Sequence, residues 1–279
     1  MWGFKLVRVA TIILNRNLPD VTERLHDHLK KFDCDSTDIF IVEAGSDKSN
    51  LTKNYSWHAD WSEATQHGLR YGRGMNFGLS QIYKEDKFKN YDAFFLLTND
   101  TELEQLPTVA PLMKIMDEHP RLGILSPCSD RWGEKLLLEK EQTKYFWFIH
   151  NNSFLLRREF IESICNINKP DFMNFLFDGE NFRGYLSESE LIAKAYANDW
   201  AAAITSTVWT GENESYLINQ ADLIKTEDYH ENLRLYVSEG KEWLRNKYGF
   251  NSRWSMQQYV KTFYDKFFEF HPEYSAYKI

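Results

Sequence analysis

Three polar turns in this chain each follow a hydrophobic run, and each carries residue types that hold phosphates, nucleotides or cations. The first is Glu43-Ala44-Gly45-Ser46-Asp47, after the apolar stretch DIFIV. A carboxylate at a strand end accepts hydrogen bonds from a base or ribose, and Gly45 lets a backbone come close. A plain tight turn uses the same residue types. The second is Gly72-Arg73-Gly74-Met75-Asn76-Phe77-Gly78. Its glycines would admit a diphosphate, Arg73 would neutralise it, and a following helix would add its dipole. The spacing does not match the dinucleotide fingerprint and the Walker lysine is missing, so a loop-to-helix connection explains it equally well. The third, Thr98-Asn99-Asp100-Thr101-Glu102, follows YDAFFLL. Asp100 suits a hard divalent ion, with Asn99 or Glu102 assisting; an N-cap cluster is the plainer alternative.

The elements that would position these turns alternate. Apolar runs at 7–14, 38–43, 91–97 and 122–126 read as buried strands, and the segments 20–32, 74–83 and 106–119 read as helices. This rhythm predicts an α/β fold with a mainly parallel sheet flanked by helices, whose ligands sit beyond the carboxyl ends of the strands. The second half is less regular. It offers a mixed apolar segment at 146–158, a helix at 187–198 opening SESE, and a strand at 201–209. From 217 onward the pattern is helical, and Tyr259, Phe263, Phe267 and Phe270 recur near helical spacing. We place the domain boundary near 215, giving a catalytic domain at 1–215 and a helical C-terminal extension at 216–279.

Composition narrows the classes. With 43% hydrophobic and 16% aromatic residues, the 279-residue chain has ample material for a core. The formal charge of -8 argues against a nucleic-acid partner. Cys34, Cys128 and Cys165 are scattered and odd in number, which reads as incidental thiols in a reducing compartment. The apolar stretch at 7–14 is short and broken by Arg8, so it reads as a strand rather than a leader. A cytoplasmic location is expected. Near the C-terminus Arg245, Lys247, Arg253, Lys261 and Lys266 interleave with Trp243, Trp254, Phe263, Phe267 and Phe268. Such a stripe serves either peripheral contact with the inner face of a membrane or packing on the chain's own domain or a second subunit of a homodimer. Glu239, Glu242, Asp265 and Glu269 dilute the basic face and favour packing.

In order along the chain, these motifs resemble family 2 glycosyltransferases of the GT-A fold. IVEAGSD is similar to the family's V-D-N-G-S-x-D, with Glu43 in place of the base-binding aspartate. GRGMNFG is similar to its N-x-G element and maps Asn76 and Gly78. LTNDTEL aligns with L-N-D-D-T-E-L, which puts Asp100 at the metal-coordinating position. NSFLLRREF resembles an apolar stretch closing in paired basic residues. LSESEL looks like a degenerate G-E-D-x-D-L, and AYANDWAAAITSTVWTGE resembles the helix, turn and final strand that follow. The likeness spans about residues 7–212.

The resemblance implies transfer of a sugar from a nucleotide-sugar donor to an acceptor hydroxyl of a glycan, lipid-linked molecule or protein. It also implies inversion, assistance from a divalent metal (Mn or Mg) at Asp100, and a setting in surface polysaccharide or glycan synthesis. Glu188 becomes the catalytic base. Asn15, Glu43, Gly45, Asp47, Arg73, Asn76 and Asn99 become donor nucleotide contacts, and His150, Asn152 and Glu190 acceptor-side or secondary residues. Departures are Glu for Asp at 43, Asn99 in place of an acid, and Thr210 where many GT-A enzymes carry a metal-holding histidine. Apart from the resemblance, Glu188 and Glu190 read as acids favoured at a helix start, and His150 as a packed histidine. A nucleotidyltransferase is the competing enzyme class, although the turn NRNLPD after the first strand lacks the glycine-rich loop such enzymes use. A non-catalytic nucleotide-sugar-fold binding protein is the third reading.

Overall fold

The computed structural model describes residues 9–129, 131, 133–150, 153–166, 168, 170–213 and 215–279. β1 (Val9–Asn15) is buried at every position, as a β-branched run covered on both faces must be. α1 (Pro19–Phe32) carries proline in its first turn, where no amide is lost, and buries Val21, Leu25 and Leu29. There follow β2 (Thr37–Glu43), β3 (Trp57–His58), α2 (Ser62–His67), α3 (Arg70–Lys84), β4 (Ala93–Thr98), β5 (Thr101–Leu103) and α4 (Val109–Glu118). The chain continues through β6 (Leu122–Ser129), β7 (Thr143–Tyr145), β8 (Ser153–Arg157), α5 (Arg158–Ile164), α6 (Ser187–Ala197) and β9 (Ala201–Glu212). It ends with α7 (Ser215–Asn219), α8 (Ala221–Ile224), α9 (Tyr229–Tyr248) and α10 (Arg253–Phe270).

One sheet runs in the order β3-β2-β1-β4-β8-β6-β9-β5, with β7 added beside β9. Strands β1, β2, β3, β4, β6 and β9 point one way and β5, β7 and β8 the other, so the α/β sheet is mainly parallel, as expected. Register brings Asn15 level with Glu43, and Leu14 level with Thr98. The carboxyl ends of β1, β2 and β4 therefore close at one rim, which sets the first and third polar turns side by side.

The second turn is a correction. The helix expected over 74–83 begins at Arg70, so the whole Gly72–Gly78 cluster lies inside α3 and forms no loop. A Cβ on Gly78 would stand 3.0 Å from the γ-methyls of Ile12 and Val42, and one on Gly74 3.0 Å from Leu14. The glycines seat the helix on the sheet. That close packing offsets the ~1 kcal/mol per residue that glycine costs a helix interior.

α10 lies along α6 and buries Met256, Val260, Tyr264, Phe267 and Phe268, while the Tyr264 hydroxyl donates to the Ile279 carbonyl at 2.9 Å. Most of the aromatic stripe thus faces its own molecule. Among the described residues no helix is long and apolar enough to cross a membrane.

Candidate active site

The rim is organised from beneath by Glu43, which is fully buried. Its Oε2 accepts Asn15 Nδ2 at 2.8 Å and Ser46 Oγ at 2.5 Å; its Oε1 accepts the Thr52 amide at 2.7 Å and Thr52 Oγ1 at 2.8 Å. A buried carboxylate needs such partners, and here they fasten the loop at 44–52. Asn15 Oδ1 in turn accepts Leu18 N at 3.1 Å and Asn99 Nδ2 at 3.2 Å, and Asn99 Nδ2 also reaches Thr22 Oγ1 at 3.1 Å. Asn15, Glu43 and Asn99 belong to one network. Gly45 sits at φ +94, and a Cβ there would fall 1.9 Å from the Ala64 carbonyl, so the close approach it permits is to α2. Asp47 lies on the outer side of the rim, where its carboxylate meets Lys225 Nζ at 2.5 Å.

Asp100 Oδ1 accepts the Thr98 hydroxyl at 2.5 Å, and its carbonyl accepts Asn213 N at 3.0 Å. The antiparallel pairing of β5 with β9 sets Thr101 opposite Glu212 and leaves Asp100 level with Asn213. Glu102 is exposed and binds Asn213 Nδ2 at 3.0 Å. Asn76 is buried away from the rim. Its Oδ1 accepts the amides of Leu176 and Phe177, and its Nδ2 donates to the carbonyls of Phe172 and Phe177. Arg73 donates to the Gly179 carbonyl at 2.8 Å, pairs with Glu63 at 3.1 Å and lies 4.8 Å over the Phe182 ring. Both side chains tie α3 to the segment at 172–182. This differs from the expectation for that turn because the turn is helix.

Glu188 opens onto a cleft of about 700 Å³, walled by His150, Tyr185, Glu212, Tyr236 and Arg253 among others. It occupies the first turn of α6, after Leu186 turns the chain with left-handed backbone angles. Burial pushes the Glu188 carboxyl up to about 7, although hydrogen bonds from its own amide and Ser187 oppose this. Burial, with the Glu188 charge adding to it, keeps the phenols of Tyr71 and Tyr236 protonated. The Tyr71 hydroxyl is buried with no hydrogen-bond partner. Burial, and after it the Arg253 charge, hold His150 below the ordinary imidazole value. Glu190 is two positions further along the helix and so faces elsewhere. It is buried, accepting from Tyr248 Oη at 2.7 Å and pairing with Lys247 at 2.7 Å, and is not in the cleft. Asn152 lies outside the described residues.

No protein-family model matches the chain, and no curated protein matches it in sequence. Solved structures do match in fold. GalNAc-T7 with UDP, GalNAc and Mn2+ is 10% identical with a TM-score of 0.54, over 95% of this chain and 57% of that one. The mannosyltransferase PcManGT from Pyrobaculum calidifontis, in complex with GDP-Man and Mn2+, is 12% identical with a TM-score of 0.51, over 92% of this chain and 73% of that one. S. aureus TarS is 13% identical with a TM-score of 0.53, over 95% of this chain and 44% of that one. The chain has the GT-A glycosyltransferase fold. It spans only 57% of the GalNAc-T7 chain and 44% of the TarS chain.

Within this GT-A fold, Glu212 walls the Glu188 cleft from the end of β9, the strand that β5 pairs with directly after Asp100. Sequence reading passed over it, although it ends the quoted strand WTGE. Asp100 and Glu212 each offer the hard oxygen donors that an Mg or Mn ion takes alongside substrate oxygens and water. Among the described residues, the one cluster of three metal-type side chains is Glu23, His26 and Asp27 on α1. There the Glu23 carboxylate already accepts Lys53 N at 2.6 Å and Asn54 Nδ2 at 3.0 Å. Tyr71 and Tyr236 were also missed, and Trp254 was read only as part of the C-terminal aromatic stripe. Only tertiary contact brings them to Glu188, and no local pattern signals it.

Proposed function

We propose that this protein transfers a sugar from a nucleotide-sugar to an acceptor hydroxyl with inversion at the anomeric carbon, and that Glu188 is its general base. The observation that carries this reading is a carboxyl held near neutral pH and opening onto a cleft. A base works best when its pKa lies near the working pH. Burial pushes the Glu188 carboxyl up to about 7, within that range. The acceptor hydroxyl lies in the cleft and gives its proton to the Glu188 carboxylate as its oxygen bonds to the anomeric carbon. The bond from that carbon to the diphosphate oxygen breaks on the opposite face, and the nucleoside diphosphate leaves with the electron pair. The phenols of Tyr71 and Tyr236 stay protonated and cannot take the proton, whereas the Glu188 carboxyl is held near neutral pH.

The donor nucleotide occupies the rim. Asp47 and Asn99 are its accessible polar groups, and Asn15, Glu43 and Gly45 shape the surface from below. A divalent cation held by Asp100 and Glu212 would neutralise charge on the departing diphosphate. The Mn2+ named with two of the matched structures supports that assignment. A thermal-shift screen of UDP, GDP and their sugars, with and without manganese, tests this reading. A ligand at 100 times its Kd adds ~2.7 kcal/mol to stability, so one nucleotide series should raise the melting temperature, more so with manganese. A flat response to every nucleotide contradicts it.

A further inference from the structure

The cleft continues beyond Glu188 onto α9 and α10, and none of the rim residues Asn15, Glu43, Asp47 or Asn99 lines this part. Its far wall carries Lys241, Arg253 and Trp254. Trp254 is 60% exposed, although the next α10 positions inward, Met256 and Val260, are buried in the core. An indole left on a cleft wall is available to a ligand, and one of its faces already carries a cation: the Arg253 guanidinium lies 4.6 Å from the ring centroid. Among the described residues neither Arg253 nor Lys241 has an acidic partner. The chain carries 41 acidic and 33 basic side chains, so two cations on one cleft wall without an acid beside them leave that wall positive.

We propose that this wall is the acceptor subsite and takes a pyranose bearing an anionic substituent, its apolar ring face stacked on Trp254 and its anion held by Arg253 and Lys241. The inference rests on the glycosyltransferase reading and deepens it by naming the acceptor class. Sugars present a C–H face that packs on indole, and a guanidinium offers the forked donors a carboxylate or phosphate accepts in pairs. The two cations also offset the repulsion an anionic acceptor would meet from Glu188 and Glu212 across the cleft. A neutral acceptor would use the indole and leave both cations idle.

The experiment is calorimetric or saturation-transfer titration of the full chain with methyl β-D-glucuronide, glucose 6-phosphate and methyl β-D-glucoside. Inorganic phosphate serves as control, and UDP and GDP with manganese are titrated separately. The carboxylate and phosphate arms distinguish the two sources of the anion. The expected result is that one anionic sugar binds about tenfold tighter than the glucoside, and tighter than phosphate alone. Arg253→Gln and Lys241→Gln should each weaken it roughly twofold to fivefold, and Trp254→Ala should weaken all three sugars while Trp254→Phe restores part of the loss. All three side chains are exposed, and unchanged melting temperatures establish that the variants fold. Equal binding of the glucoside, or indifference to Arg253→Gln and Trp254→Ala, overturns the proposal. So does a loss of nucleoside diphosphate affinity in Arg253→Gln, which would assign the cations to the donor. If the anionic sugar binds through this wall but no nucleoside diphosphate binds anywhere, the transferase reading fails while the subsite stands.

Discussion

Replacing Glu188 with glutamine should stabilise the protein above neutral pH while removing its activity. The carboxyl rises from 4.5 to about 7 because burial disfavours its charged form. At ~1.36 kcal/mol per unit, that is a ceiling of ~3 kcal/mol on the strain of holding Glu188 ionised. The side chain is only partly covered on its cleft side, and solvent there screens the charge, so ~1–2 kcal/mol is the expected size. Between 4.5 and 7 the folded protein keeps the proton that the unfolded chain has released, so stability falls with rising pH through that window. Glutamine does not titrate and escapes the fall. Wild type and Glu188→Gln should show similar melting curves near pH 4.5. By pH 8 the variant should melt ~2–8 °C higher, given ~2–4 °C per kcal/mol for a chain of this size. Calorimetric scans of both proteins at half-unit pH steps provide the assay. Two curves running parallel from pH 4.5 to 8 would refute the reasoning, because Glu188 would then be solvated like any surface acid.

Other substitutions probe the scaffold. Glu43→Gln puts an amide against donors from Asn15, Ser46 and Thr52 and should cost ~1–3 kcal/mol, read as a lower denaturant midpoint with the slope unchanged. Gly78→Ala inserts a methyl 3.0 Å from Ile12 and Val42 and should cost ~1–3 kcal/mol by lifting α3 from the sheet; a neutral effect in thermal melts would show that the helix gives way. The segment carrying α7 and α8 is tied to the rim by Lys225 to Asp47 at 2.5 Å and by Asn17 Nδ2 to the Leu223 carbonyl at 2.8 Å. Lys225→Glu replaces that attraction with repulsion and should speed limited proteolysis within 215–228 severalfold at low salt, an effect that high salt should narrow.

The strands β1, β2 and β4 and the turns after them were legible because a buried parallel strand leaves a continuous apolar run, which few other elements do. Strands β5 and β7 are three residues each, too short to show alternation. The helix was expected to start at Gly74, with Gly72 in a loop before it, because local propensity disfavours glycine in helices, whereas α3 begins at Arg70. The gain from packing against Ile12, Leu14 and Val42 is a tertiary term that no window of sequence contains. Glu190 was grouped with Glu188, although two positions on a helix cannot share a face, and the structure sends it to Lys247 and Tyr248. Arg73 and Asn76 have the chemistry for phosphate but spend it on backbone carbonyls and amides in the 172–182 segment. Glu188 itself was marked by the family resemblance. The burial that raises its pKa is a tertiary effect, and its charge is felt by Tyr71 and Tyr236, residues far along the chain.

The most direct test of the central claim is release of nucleoside diphosphate from a panel of nucleotide-sugars, with manganese, by wild type and Glu188→Gln side by side. The account predicts that wild type releases it from at least one donor when a suitable acceptor is present. The variant should be slower by roughly 10²–10⁴ while binding the same nucleoside diphosphate with unchanged Kd. Equal release by the two proteins, or no binding of any nucleoside diphosphate by either, would contradict it.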